Sequence, residues 1–154
     1  MIGVDNFAGA ERLVEHLNGL GHRRIGFFGC CPELQWSLQR FGGYAASLTK
    51  FGLELNPSWV ITTESASPMT DINVEMDELL AQAEHLTRKD QVTAWIGASE
   101  TAGQKLYSWL ITHGVRVPED VSITGFHRDE SNPSKLPPLT SVISSYQAIG
   151  AAAL

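Results

Sequence analysis

Side chains able to do chemistry are few and scattered in this sequence of 154 residues. His16, His22, His85, His113 and His127 share none of the close spacings by which paired imidazoles hold a metal. Cys30 and Cys31 are adjacent, a geometry poorly suited to a structural bridge, and no second pair completes a zinc site. They read as reduced, buried thiols. No strand-like run leads into G-x-G-x-x-G or into a glycine-rich loop ending in Lys-Ser/Thr; the nearest stretch, Gly97-Ala98-Ser99-Glu100-Thr101-Ala102-Gly103, lacks the lysine. The G-x-S-x-G turn that exposes a nucleophilic serine is also missing. The sequence therefore offers no catalytic residue, metal or cofactor to name, and the expectation is a binding module, not an enzyme.

The elements that would position a binding site are easier to read. Ala10, Leu13, Val14, Leu17 and Leu20 recur at steps of three and four, which predicts an amphipathic helix capped by Asp5 or Asn6 and ended by Gly21. Arg24 to Gly29 is an apolar run too short for a helix and reads as a buried strand. Leu38, Phe41, Ala45, Leu48 and Phe51 give a second helical stripe, closed by Gly52. The alternation continues with a strand at Trp59 to Thr63, a helix burying Ile72, Met76, Leu79, Leu80, Ala83 and Leu86, and a strand at Val92 to Gly97. Ser99 is placed to cap a helix burying Ala102, Leu106, Trp109 and Leu110, which stops at Gly114; a strand follows at Val121 to Phe126. Leu139 to Ser144 forms a last extended segment, with a helix from about Tyr146. Strands alternating with helices predict an α/β fold, a Rossmann-like three-layer sandwich with a mostly parallel sheet, covered on both faces and wound with right-handed crossovers.

Composition narrows the function further. Eleven basic against seventeen acidic side chains give a formal charge of -6, which repels a phosphate backbone, so direct duplex binding by this chain is not expected. The beginning Met1-Ile2-Gly3-Val4-Asp5 carries neither a secretory signal nor a membrane span, which fits a cytoplasmic protein with no membrane partner. Both ends look cut inside structured elements.

Four stretches, in order, carry a family resemblance over nearly the whole chain: VDNFAGAERLVEHLNGLGHRRIGFFG, Arg40-Phe41-Gly42-Gly43-Tyr44, GVRVPEDVSITGF and PPLTSVISSYQAIG. Together they resemble the C-terminal half of the effector-binding core of LacI/GalR transcriptional regulators. The resemblance implies one lobe of a periplasmic-binding-protein-like clamshell, in which a small polar, sugar-like effector binds between two Rossmann-like lobes joined by crossover strands. Residues 1–154 would form the C-terminal lobe, with 1–5 and 139–154 as crossover segments. The N-terminal lobe and the operator-binding headpiece would lie outside this chain, so operator DNA would be a partner only through that headpiece. A homodimer is the family's default assembly. Two rivals remain: a solute-binding protein of a transport system, which shares the fold, and a small flavodoxin-like enzyme or signalling module.

In open α/β sheets ligands bind beyond the carboxyl ends of the strands, which nominates the loops after Gly29, Thr63, Gly97 and Phe126. The resemblance points to the same loops. Arg40 matches an arginine that in relatives donates to effector oxygens, a task suited to its planar fork; the alternative is a helix-surface arginine paired with an acid. Trp36, one turn earlier, is either a stacking wall or ordinary helix packing. Ser99 and Glu100 stand where many relatives carry Asn-Asp, and can equally be a helix cap and a first-turn acid. His127 follows Gly125-Phe126 where relatives read G-F-D. A carboxylate accepts two hydroxyl hydrogen bonds whereas a neutral imidazole offers one donor and one acceptor, so either the effector departs from a simple sugar or the site has weakened. Tyr146 matches an aromatic lining the cleft in several relatives, or packs at the hinge.

Overall fold

The computed structural model describes residues 5–63, 72–126 and 136–143, with side chains described from 75 onward in the second of these. His127 and Tyr146, with the helix expected from Tyr146, lie outside the described residues. In chain order the elements are α1 (Asn6–Gly19), β1 (Ile25–Cys30), α2 (Gln35–Lys50), a short 3-10 turn (Pro57–Trp59), β2 (Val60–Thr62), α3 (Ile72–Lys89), β3 (Ala94–Gly97), α4 (Glu100–Thr112), β4 (Ser122–Phe126) and β5 (Thr140–Val142). The strands form one sheet in the order β2-β1-β3-β4-β5. All four pairings are parallel. The sequence reading put Trp59 into the second strand; it belongs instead to the turn, capped by the Asn56 side chain accepting from the Ser58 amide.

Alternation along the strands divides the core in two. Ile25, Phe27, Ala94 and Ile96 pack with Ala10, Leu13, Val14 and Leu17 of α1 and with Tyr44 and Leu48 of α2. Phe28, Trp95, Ile61 and Ile123 pack with Leu80, Ala83 and Leu86 of α3 and Leu106 and Leu110 of α4. The connection from β1 to β2 runs one way along the sheet and that from β2 to β3 runs back. Crossovers of one hand running in opposite directions must lie on opposite faces, as α2 and α3 do. The order therefore reverses between β1 and β3, and their carboxyl ends form the topological switch point.

Two local features explain sequence motifs. At Gly26 a Cβ would sit 2.4 Å from the ring of Trp95, its partner across the ladder, so the glycine makes room for the largest core side chain. In the Gly-His-Arg-Arg-Ile motif, His22 spans the amino ends of three strands. Its Nδ1 lies 2.9 Å from Thr93 Oγ1 and its Nε2 3.1 Å from Ser122 Oγ. Burial, with a smaller contribution from His16, holds this imidazole below its ordinary pKa. The motif is thus explained at the edge of the sheet away from the switch point, as a structural clamp.

Candidate effector site at the carboxyl edge of the sheet

Arg40 lies in the second turn of α2 and is 5% exposed, a buried cation and not a helix-surface one. Its Nε donates to Asn6 Oδ1 at 2.8 Å and its Nη1 to the Ala98 carbonyl at 2.6 Å. The guanidinium carbon stands 4.3 Å from the ring centre of Phe126 and 4.6 Å from that of Trp36. A planar, weakly hydrated cation is the side chain best able to stack on rings while its fork donates in the plane. Among the described residues, the first residue of α1, the first turn of α2, the turn from β3 into α4 and the end of β4 all meet on it. All lie at the carboxyl edge beside the switch point, and Trp36 remains 36% exposed there.

The motif around Arg40 follows from the packing of α2. Gly43 lies so close to α1 that a Cβ would fall 2.2 Å from the Phe7 carbonyl, and the buried Tyr44 hydroxyl donates to the Ile25 carbonyl at 2.8 Å. Close helix approach and a buried anchor thus fix α2 on β1, which sets the depth at which Arg40 enters the edge. Burial pushes the Tyr44 phenol well above its ordinary pKa, so it stays a neutral donor.

Between β1 and α2, Ser37 accepts from the Cys31 amide at 2.9 Å and donates to Cys30 Sγ at 3.9 Å. Both cysteines are free and buried, as read from the sequence. Burial raises the Cys30 thiol pKa, only partly opposed by Ser37, so the thiol is held protonated and inert.

Ser99 caps α4: its Oγ accepts from the Ala102 amide at 3.2 Å, on an extended backbone. Glu100 sits in the first turn, where the helix dipole favours an anion. Its Oε2 accepts from the Ser141 hydroxyl of β5 at 2.5 Å and its Oε1 from Gln104 Nε2 at 3.4 Å. The structure therefore brings Arg40, Trp36 and the Ala98–Ser99 turn together, and turns Glu100 toward the neighbouring edge strand. Sequence reasoning missed Asn6, Phe126 and Ser141. Asn6 carried a signal, since it was a candidate cap, but a backbone carbonyl such as that of Ala98 leaves none.

A cavity of about 540 Å³ opens elsewhere, between α3 and α4, lined by Met76, Leu80, Lys105, Trp109 and His113 among others. Arg40, Trp36, Ser99 and Glu100 do not line it. Among the described residues no group of His, Cys, Asp or Glu is arranged to hold a metal, and no helix is long and apolar enough to cross a membrane.

A family model described as a periplasmic binding protein-like domain matches residues 14–154. The chain belongs to that family. This periplasmic binding protein-like domain is similar to the HTH-type transcriptional repressor PurR of Haemophilus influenzae strain PittEE, 31% identical over 152 residues, which cover 97% of this chain and 42% of the repressor. Among solved structures it resembles a LacI-family transcriptional regulator from Rhizobium etli, with a TM-score of 0.76 and 25% identity over 95% of this chain and 51% of that one. It also resembles the transcriptional regulator CelR in complex with cellobiose, with a TM-score of 0.67 and 27% identity over 80% of this chain and 35% of that one. The domain thus spans about half the length of these relatives, or less. The LacI/GalR resemblance and the parallel α/β fold read from the sequence are both borne out.

Proposed function

We propose that this domain is the C-terminal lobe of the effector-binding core of a LacI/GalR-type transcriptional regulator. The observation that carries the reading is Arg40, held at the switch point by Asn6 and Ala98 and stacked on Trp36 and Phe126. A ligand arriving at this edge meets a fixed cation and a half-exposed indole, the combination that recognises hydroxyl or carboxylate oxygens on a ring-shaped molecule. One lobe of a two-lobed clamshell supplies only one wall of such a cleft. The second wall would come from an N-terminal lobe, and a headpiece beyond it would contact operator DNA, a task for which the acidic charge of this domain is unsuited.

In this reading Arg40 is the principal effector contact and Trp36 a stacking wall. Ser99, Glu100, His127 and Tyr146 complete the site, and His127 in place of an acid shifts preference away from a simple sugar. The effector is a small polar metabolite. It acts by binding one hinge state more tightly than the other. The protein is cytoplasmic and assembles as a homodimer.

The test is a thermal-shift screen of small polar metabolites, cellobiose among them, on the protein carrying both lobes. Arg40→Lys and Trp36→Ala should each weaken the effector found by about ten-fold or more, the loss of one charge-assisted bond or one stacking face. Unchanged affinity in both variants removes this edge from the site.

A further inference from the structure

Among the described residues, strand β5 is short, lies at the edge of the sheet, and is held by identifiable contacts. Its ladder to β4 comprises Thr124 with Thr140, Gly125 with Ser141 and Phe126 with Val142. On one side α1 comes close enough that a Cβ at Gly9 would lie 3.3 Å from Val142. On the other, a Cβ at Gly103 of α4 would lie 2.7 Å from Leu139. A polar contact to α4 is the Ser141 hydroxyl donating to Glu100 Oε2 at 2.5 Å. Room for that carboxylate depends on Gly125, where a Cβ would stand 2.7 Å from Glu100 Oε2.

Glu100 is also two residues beyond Ala98, whose carbonyl holds Arg40, and directly follows Ser99, the cap of α4. One tight turn therefore serves the candidate effector site with its first residue and β5 with its last. We propose that Glu100 is a positioning residue that latches β5 to α4, and that this latch ties occupancy of the site to the docking of the edge strand. The proposal rests on the effector reading of this edge.

The physical argument is one of relative weight. A three-residue strand that, among the described residues, pairs on one side is a weakly held unit. A hydrogen bond to an ionised acceptor is roughly twice as strong as a neutral one, so a single carboxylate can dominate its docking. An effector hydroxyl or ammonium that reaches Glu100 competes with Ser141 for the same oxygen. Contact at the site thereby loosens β5, and loss of the latch loosens it without any effector.

Amide hydrogen exchange on the 154-residue chain tests this directly. Glu100→Ala and Ser141→Ala should each speed exchange of the β5 amides and their β4 partners by about ten-fold. The double variant should exchange no faster than either single one, because both remove the same bond. Ser141→Thr, which keeps the hydroxyl, should restore the slow rate, and amides of β1 and β3 should be unaffected throughout. Wild-type exchange at β5 in both single variants overturns the proposal, as does a multiplicative effect in the double variant or equal acceleration across β1 and β3. The measurement uses no effector, so a failure of the effector reading would appear only as intact binding in the Arg40 and Trp36 variants.

Discussion

Removing the Arg40 side chain should destabilise the fold far more than removing an ordinary helix arginine. In Arg40→Ala, Asn6 Oδ1 and the Ala98 carbonyl lose the donors that reach them at 2.8 and 2.6 Å. A buried acceptor that loses its donor costs about 1–3 kcal/mol, and a desolvated cation stacked on rings adds about 1–2 kcal/mol. Against this, the variant no longer has to bury a guanidinium, which returns part of the sum. The net expectation is about 3 kcal/mol at pH 7.5, where an exposed arginine would give about 0.5 kcal/mol or less. For a chain of this size that is a fall in melting temperature of about 6–12 °C. Urea unfolding followed by far-ultraviolet circular dichroism measures it, with an unchanged m-value as the sign that the native state remains compact. Arg40→Lys keeps the charge but cannot serve both acceptors in the plane of a fork, so it should fall between the two. A loss below about 1 kcal/mol for the alanine variant would mean that Arg40 does not bind the four segments together, and the account of the site's rigidity would go with it.

Three further perturbations test other parts of the fold. His22, whose imidazole pKa is lowered by burial, takes up a proton less readily when folded than when unfolded. Its contribution is present in full above the free-imidazole value of about 6.5 and is lost as the pH falls through the lower folded value, so His22→Gln should flatten the stability profile between pH 7.5 and 5. Ser47 is wholly buried with no partner for its hydroxyl among the described residues, so Ser47→Ala should leave thermal stability unchanged or raise it by up to about 1 kcal/mol; a loss of similar size would point to an unseen partner. Gly26→Ala would press a methyl into the Trp95 ring and should cost about 3 kcal/mol, whereas Gly19→Ala, with open space around it, should cost nothing measurable in the same melts.

The architecture was legible because burial on both faces of a parallel sheet writes itself into the sequence as apolar runs separated by helical stripes. β1 and β3 are such runs, and glycine at positive φ ends or follows α1, α2 and α4 at Gly21, Gly52 and Gly114, where its missing Cβ permits the turn. The strand at Trp59 was misplaced by one residue because an indole buried by a 3-10 turn has the same composition as one buried by a strand. The candidate site was legible only in part. Arg40, Trp36 and Ser99 announce themselves by type and position, and all three lie at the carboxyl edge. What Arg40 touches was not legible, since one of its partners is the main-chain carbonyl of Ala98 and another, Asn6, sits 34 residues away in sequence. Glu100 shows the same limit: its spacing marks a first-turn acid, while its engagement with Ser141 depends on a strand 41 residues later.

The way Arg40 is held also bears on how such an edge could transmit a signal. A flexible arginine would have to be ordered by its ligand, and the entropy of that ordering would weaken binding. Here the side chain is fixed beforehand by α1, α2 and the β3–α4 turn, so in the proposed effector reading a ligand oxygen would gain a cation already in place. The same anchoring means that in this reading a ligand would not pull on Arg40 without pulling on Asn6 at the start of α1 and on Ala98 in the turn that leads into α4. Those two helices are the ones that flank β5, through Gly9 against Val142 and Gly103 against Leu139. Preorganisation for binding and connection to the edge strand therefore come from one set of contacts, and a substitution that loosens Arg40 should weaken both together.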